Sequence, residues 1–314
     1  MNVLVLGGSG FVGRALIAKL ARDAHRVTVL TRRRDRAREL FLLPTVTVLE
    51  GNVQEPDTLA RHLPGHEAVV FLIGILNERR RGDFDRVHVE LVARLIDAMQ
   101  RARCRRLVHM SALGAAPDAP SAYLRSKAAG EALVRSSGLD WTIFAPSVIF
   151  GAGDSFLNRF AALTSLLPPF APVLLPAADA QFQPVWVDDV ARAFAHALAR
   201  KQTFGQRYEL VGPKRYRLRE LVAYVMQLRG KRHPIIGLPD LAASALASIL
   251  QHVPTQPLTP DNLASMRVPS VSDAPFPAFA GVPAALEDIA PSYLAPQSLD
   301  DRARPFREHA RHER

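Results

Sequence analysis

The chain opens Met1-Asn2-Val3-Leu4-Val5-Leu6-Gly7-Gly8-Ser9-Gly10-Phe11-Val12-Gly13, and the fold is decided here. The unbroken aliphatic run predicts a strand over Asn2–Leu6, in a sheet covered on both faces. Behind it a Gly-x-x-Gly-x-x-Gly turn leads into apolar positions at helical spacing, which predicts a helix over Phe11–Arg22. Gly7 permits the tight turn, Gly10 lets backbone approach a diphosphate, and Gly13 lets the helix pack close to the strand. The opening helix then offers unpaired amides around Ser9, Phe11 and Val12, and the positive end of its dipole, to phosphate oxygens. Strand, glycine turn and helix in this order are the fingerprint of a dinucleotide site.

Working outward, a second strand over Val27–Leu30 ends in Leu30-Thr31-Arg32-Arg33-Arg34. A carboxylate at this point would hold the ribose 2′-hydroxyl of NAD(H), and none stands there; Asp35 comes later. A guanidinium chelates a 2′-phosphate instead, so Arg32 and Arg33 point to NADP(H) rather than NAD(H). Gly51-Asn52-Val53 follows the third strand, over Val46–Glu50, where an adenine edge is usually met. Gly74 follows a fourth, over Ala68–Ile73, where backbone passes close to a ribose.

Further strands are predicted at Leu107–Met110 and Thr142–Phe144, with helices at Val87–Arg101 and Ser121–Ser137. Alternation of this kind predicts an α/β doubly wound parallel sheet, a Rossmann fold. The boundaries are a dinucleotide-binding domain over 1–150, a smaller, mostly helical cap lobe over 151–300, and a charged tail over 301–314. Strand-like Pro184–Trp186 and Tyr208–Val211, and a helix over Asp188–Arg200, suggest that cap and sheet interleave. Asp240–Val253 is a helix rich in Ala and Leu, open to two readings: packing against the cap, or docking to a membrane or partner.

Composition narrows the function classes. The single Cys104 excludes an internal disulfide, and no basic leader or cleavage site precedes the first strand, so the expectation is a cytoplasmic protein. No apolar run approaches the roughly 20 residues that cross a bilayer. The formal charge of +10 comes from arginine clusters at Arg32–Arg38, Arg79–Arg86, Arg101–Arg106 and in the C-terminal tail. Apart from the Arg32–Arg38 cluster, whose first residues are read as the 2′-phosphate contact, these read without interleaved aromatics as solvated surface rather than a nucleic-acid platform, so no nucleic-acid partner is expected. No His, Cys or carboxylate grouping has metal-site spacing. Asp188 and Asp189 read as caps of a helix start, and His109 as a packed strand residue.

A second constellation is Ser111, Tyr123 and Lys127. Tyrosine and lysine four apart share a helix face, where an ammonium would lower the phenol pKa toward proton transfer. Ser111, just past the fifth strand, could hold a substrate oxygen.

In this order and spacing, with Asn52 and the Trp141–Gly151 stretch containing Pro146, the residues resemble the short-chain dehydrogenase/reductases, in their extended or atypical branch. The stretches Tyr123–Glu131, Ile149–Gly151, Phe156–Phe160 and Gln183–Val190 are similar to a narrower group, the NADPH-carrying accessory subunits of respiratory complex I and their bacterial relatives. The resemblance implies Tyr123 as general acid/base, Lys127 on the nicotinamide ribose, Ser111 on a carbonyl, and Pro146 to Val148 flanking the nicotinamide. It leaves two readings open: an oxidoreductase on a small carbonyl or quinone-like substrate, or a non-catalytic, NADPH-stabilised accessory factor at a membrane respiratory complex, peripheral to the cytoplasmic membrane face.

Overall fold

The computed structural model describes residues 1–168, 170–253 and 256–296. The predicted tail over 301–314 lies outside the described residues.

Seven strands form one sheet: β1 (Asn2–Leu6), β2 (Arg26–Thr31), β3 (Val46–Glu50), β4 (Ala68–Phe71), β5 (Arg106–Met110), β6 (Asp140–Pro146) and β7 (Gln206–Leu210). Their order is β7-β6-β5-β4-β1-β2-β3, and every pairing is parallel. Val3 pairs with Val27 on one side and Ala68 on the other. From β1 the chain therefore first winds one way, to β2 and β3, and then the other, to β4 and beyond. A crevice opens where that direction reverses, beyond the carboxyl ends of β1 and β4.

Alternation along β1 supplies both layers of core. Val3 and Val5 pack with Leu16, Ile17 and Leu20 of α1 (Phe11–Arg22). Leu4 and Leu6 face the opposite cluster, with Leu59 and Leu63 at α2 (Pro56–His62), Leu91, Leu95 and Met99 of α3 (Leu91–Arg101), and Val134 of α4 (Ala122–Ser136). The cap lobe contributes α5 (Leu157–Leu166), α6 (Val187–Ala197), α7 (Leu218–Leu228), α8 (Asp240–Leu250) and α9 (Pro260–Met266). Of these, α6 returns to the sheet, where Val190, Ala191 and Phe194 join the α1 side of the core.

The structure refines several sequence expectations. The fourth strand stops at Phe71: Leu72 still donates to Leu6, and the chain then leaves the sheet. The helix expected from Val87 starts as a π-helical turn over Arg86–Glu90. The Tyr208 segment is the seventh strand of the main sheet, whereas among the described residues Val185–Trp186 pairs only with Ile149–Phe150. Asp188 and Asp189 do not cap α6, whose N-cap is Trp186; Asp189 is buried, pairs with Arg192 at 2.5 Å and accepts from the Ala284 amide. Arg106 is not solvated surface. Its buried guanidinium donates to the carbonyls of Ala197, Leu198 and Asp140 and to the hydroxyls of Thr142 and Thr203.

Candidate functional site

The glycine turn has the shape its sequence implies. Gly7 holds a φ of +91°, a left-handed conformation that disfavours any side chain, and a Cβ there would lie 3.0 Å from the carbonyl carbon of Leu72. At Gly13 a Cβ would stand 2.5 Å from the Gly7 oxygen, so only glycine lets α1 sit directly on the turn. Gly10 is the N-cap of α1 and has no side chain to satisfy the first amides, at Phe11, Val12 and Gly13. A cradle that a Cβ would fill, at the foot of an uncapped twelve-residue helix, fits a diphosphate.

At the neighbouring strand end the Thr31 hydroxyl lies 3.4 Å from that of Ser9 and accepts from the Arg33 amide. Arg33 donates to Asp35 at 2.9 Å, while Arg32 is exposed and has no side-chain partner among the described residues. The Asn52 carboxamide oxygen accepts from the Gln54 amide, and the Val53 side chain is buried in the core, which leaves only Val53 backbone to a ligand.

A second group of sequence-predicted residues meets at a cavity of about 690 Å³. Phe11, Gly74, Ser111, Tyr123, Lys127, Pro146 and Val148 all line it. Two elements place them: the end of β5 carries Ser111, and α4 carries Tyr123 and Lys127. The start of α4 is held by Ser121, which accepts from the Leu124 amide, and by Asp261 of the cap lobe, which accepts from the amides of Ala122 and Tyr123 at 2.7 and 3.1 Å. A carboxylate at a helix N-terminus is favoured by the dipole, so the cap itself orients the tyrosine.

The electrostatics differ from the sequence reading. Lys127 is buried and donates to the Met110 carbonyl at 2.8 Å; burial pulls its pKa down to about 8 against a smaller opposing pull from Glu131. The Tyr123 phenol is pushed up to about 12 by burial, because removing a phenolate from water is costly. Ser111 is buried, and its hydroxyl has no hydrogen-bond partner among the described residues. An unmatched buried hydroxyl costs about 1–3 kcal/mol, a cost that a ligand oxygen would relieve.

Three residues that sequence reasoning did not single out stand behind the tyrosine. His88, on the π-helical turn, accepts from the Ile75 amide through Nε2 at 3.1 Å. Its Nδ1–H therefore donates to Ser126 Oγ at 2.8 Å, and Ser126 donates to the Tyr123 carbonyl at 2.7 Å. The ring packs edge-on against Tyr123 and stacks on Phe84, and burial, reinforced by Lys127, drives its pKa down to about 3. Gly130 makes this approach possible, since a Cβ there would lie 2.4 Å from the His88 oxygen. A glycine inside a helix was the available signal, because that position costs about 1 kcal/mol unless close packing requires it. His109, in β5, is buried and stacked on Phe71 at 5.4 Å.

Beyond these residues the cavity runs into the cap lobe, where Phe156, Phe160, Leu163, Leu246, Leu250 and Met266 line it. Among the described residues, Lys127 and Arg159 are the only charged ones on its wall. Among the described residues no metal-type cluster of His, Cys and carboxylates occurs, and no helix is long and apolar enough to cross a membrane.

Comparison with known proteins agrees with this geometry. A family model described as NAD(P)H-binding matches residues 7–154. The mitochondrial NADH dehydrogenase (ubiquinone) 1 alpha subcomplex subunit 9 of Mus musculus is 31% identical over 260 residues, covering 81% of this chain and 68% of that subunit. A ceramide reductase of Caulobacter vibrioides is 31% identical over 78% of this chain and 76% of its own length. Among solved structures, an NADPH-dependent quinone oxidoreductase of Escherichia coli complexed with NADPH superposes with a TM-score of 0.72 at 19% identity, over 93% of this chain and 99% of that one. The cofactor of the chain is a nicotinamide dinucleotide. The chain belongs to the NAD(P)H-binding short-chain dehydrogenase/reductases of the atypical, epimerase-like branch, the family that includes the alpha subcomplex subunit 9 proteins.

Proposed function

We propose that the chain is an NADP(H)-dependent oxidoreductase that reduces a carbonyl or quinone-like group carried on an apolar body. One observation carries this reading: Ser111, Tyr123 and Lys127 stand together on the wall of a cavity whose remaining lining is mostly apolar. On this reading residues 1–150 hold the cofactor and residues 151–300 shape the substrate pocket, and the protein works in the cytoplasm. The amides after Gly7, Gly10 and Gly13 hold the diphosphate, Arg32 and Arg33 the 2′-phosphate, and Asn52 and Val53 the adenine. Gly74 and Lys127 receive the nicotinamide ribose, and Pro146 and Val148 flank the ring. The bound cofactor supplies hydride. The Ser111 hydroxyl orients the substrate oxygen by hydrogen bonding, and Tyr123, whose raised pKa keeps its proton in place, donates that proton as negative charge develops on the oxygen.

Tyr123→Phe should lower turnover about 10²–10⁴-fold while leaving cofactor retention on dialysis unchanged. The proposal fails if protein loaded with NADPH reduces nothing in a broad panel of carbonyls and quinones. That outcome would favour a second reading, a cofactor-stabilised accessory factor at a membrane respiratory complex, which the similarity to subunit 9 supports.

A further inference from the structure

Between Arg159 and Asp179, and again between Asp240 and Asp261, the sequence carries no Asp, Glu, Lys or Arg, in a chain that is 22% charged. Both stretches border the same cavity, the first through Leu163, Leu167 and Leu174, the second through Leu246, Leu250 and Leu258. Their outer sides are left to water: Leu166 is 84% exposed, Phe170 87%, Leu241 85% and Ile249 68%. Leu163 and Leu174 are about half exposed while lining the cavity, so its mouth opens among these residues. The short strand Ile235–Gly237 extends the patch, with Ile236, also half exposed, in register beside Leu174. Helix α8 inverts the usual surface pattern. It buries Ala243 and Ala247 and presents Leu241, Ala245, Ser248 and Ile249 outward. Apolar surface gathered in this way marks an interaction site rather than ordinary exposure.

The charges beside the patch indicate what covers it. Lys231 and Arg232 make no ion pair among the described residues. His233 is hydrogen-bonded through Nδ1 to the Ala171 carbonyl at 2.9 Å, which brings this basic segment next to Phe170. Arg159 lies on the cavity wall, and Asp240 is the one carboxylate at the start of α8. A second copy of the chain would bring another net charge of +10 to the contact, and like charge opposes it.

We infer that this face of the cap lobe docks on an anionic lipid bilayer. Leu166, Phe170, Leu241 and Ile249 enter the acyl region, Lys231 and Arg232 lie at the phosphate headgroups, and the cavity mouth faces the membrane. An interfacial attachment of this kind combines buried apolar area with attraction to anionic lipid, and needs no spanning helix.

The full chain, loaded with NADPH, is sedimented with phosphatidylcholine vesicles and with vesicles that also contain phosphatidylglycerol. Binding to the anionic vesicles should be stronger by about tenfold or more, and the double substitution Phe170→Glu with Leu241→Glu should lower it by a similar factor. NADPH affinity should not change, which separates loss of docking from any fault in the cofactor assignment. Both positions are exposed; as an independent readout, tryptophan emission of Phe170→Trp should be quenched by brominated acyl chains beyond the level of the parent protein. Equal sedimentation of parent and double variant, absence of added quenching, or a stable dimer that the double variant dissociates without any vesicle binding would overturn the inference.

Discussion

Arg32 and Arg33 are neighbours at the end of β2, yet Arg33 is already engaged by Asp35 while Arg32 has no side-chain partner among the described residues. The Arg32 guanidinium can turn wholly to a 2′-phosphate, so Arg32→Asp should weaken NADP(H) about ten- to a hundredfold. It should leave NAD(H) nearly unchanged; titration calorimetry with both cofactors decides, and equal losses would contradict the assignment. His88 makes a second prediction. With its folded pKa near 3 and an unfolded value near 6.5, the unfolded chain takes up a proton over that interval and the folded chain does not. Stability therefore falls as pH drops from 6.5 toward 3, by about 1.4 kcal/mol per pH unit for one such group, and is level with respect to His88 above 6.5. His88→Asn should flatten the acid limb of urea-unfolding curves by that one-proton slope, leaving the share of His109, whose pKa burial lowers in the same direction. At this scale Tyr123, Lys127 and Ser111 were legible because their spacing is local. Asp261 was not, since it lies far along the chain from the amides it caps, and neither was the burial that raises the phenol pKa.

The π-helical turn over Arg86–Glu90 and α4 touch at a point where backbone meets backbone. Gly130→Ala would set a methyl 2.4 Å from the His88 oxygen, and a carbonyl cannot rotate away as a flexible side chain can. The helix must move, at about 1–3 kcal/mol. The expected result is a lower melting temperature together with reduced turnover, because Tyr123 and Lys127 travel with α4; unchanged values of both would mean that the contact relaxes freely. The strands and α1 were readable because alternation and glycine spacing act within a few residues. α2 was missed, being too short for a helical period to emerge beside the third strand. The π-turn was missed because its sequence carries the same apolar spacing as the α-helix it leads into.

Across the molecule, Arg106 ties three parts of the fold together: the first residue of β5, the last carbonyls of α6, and the turn at Thr203 that leads into β7. It also lies over the Phe204 ring at 4.4 Å. Arg106→Met would leave several buried carbonyls without donors, and a loss of about 3 kcal/mol or more is expected from chemical denaturation. A loss below 1 kcal/mol would show that water replaces the guanidinium. In the sequence this residue was indistinguishable from the surface arginines around it, and the cap was legible only as a mostly helical lobe with two strand-like segments, because its contacts are set by a sheet assembled elsewhere. β7 has one more consequence. It arrives from within the cap, after the matched NAD(P)H-binding region has ended at residue 154. A fragment cut at that point would carry the whole nucleotide fingerprint and still leave β6 as an open edge, with amides and carbonyls bare along a row of apolar residues. Swapping caps between relatives at this seam would thus yield sticky halves, and any workable exchange must carry the strand along with the lobe.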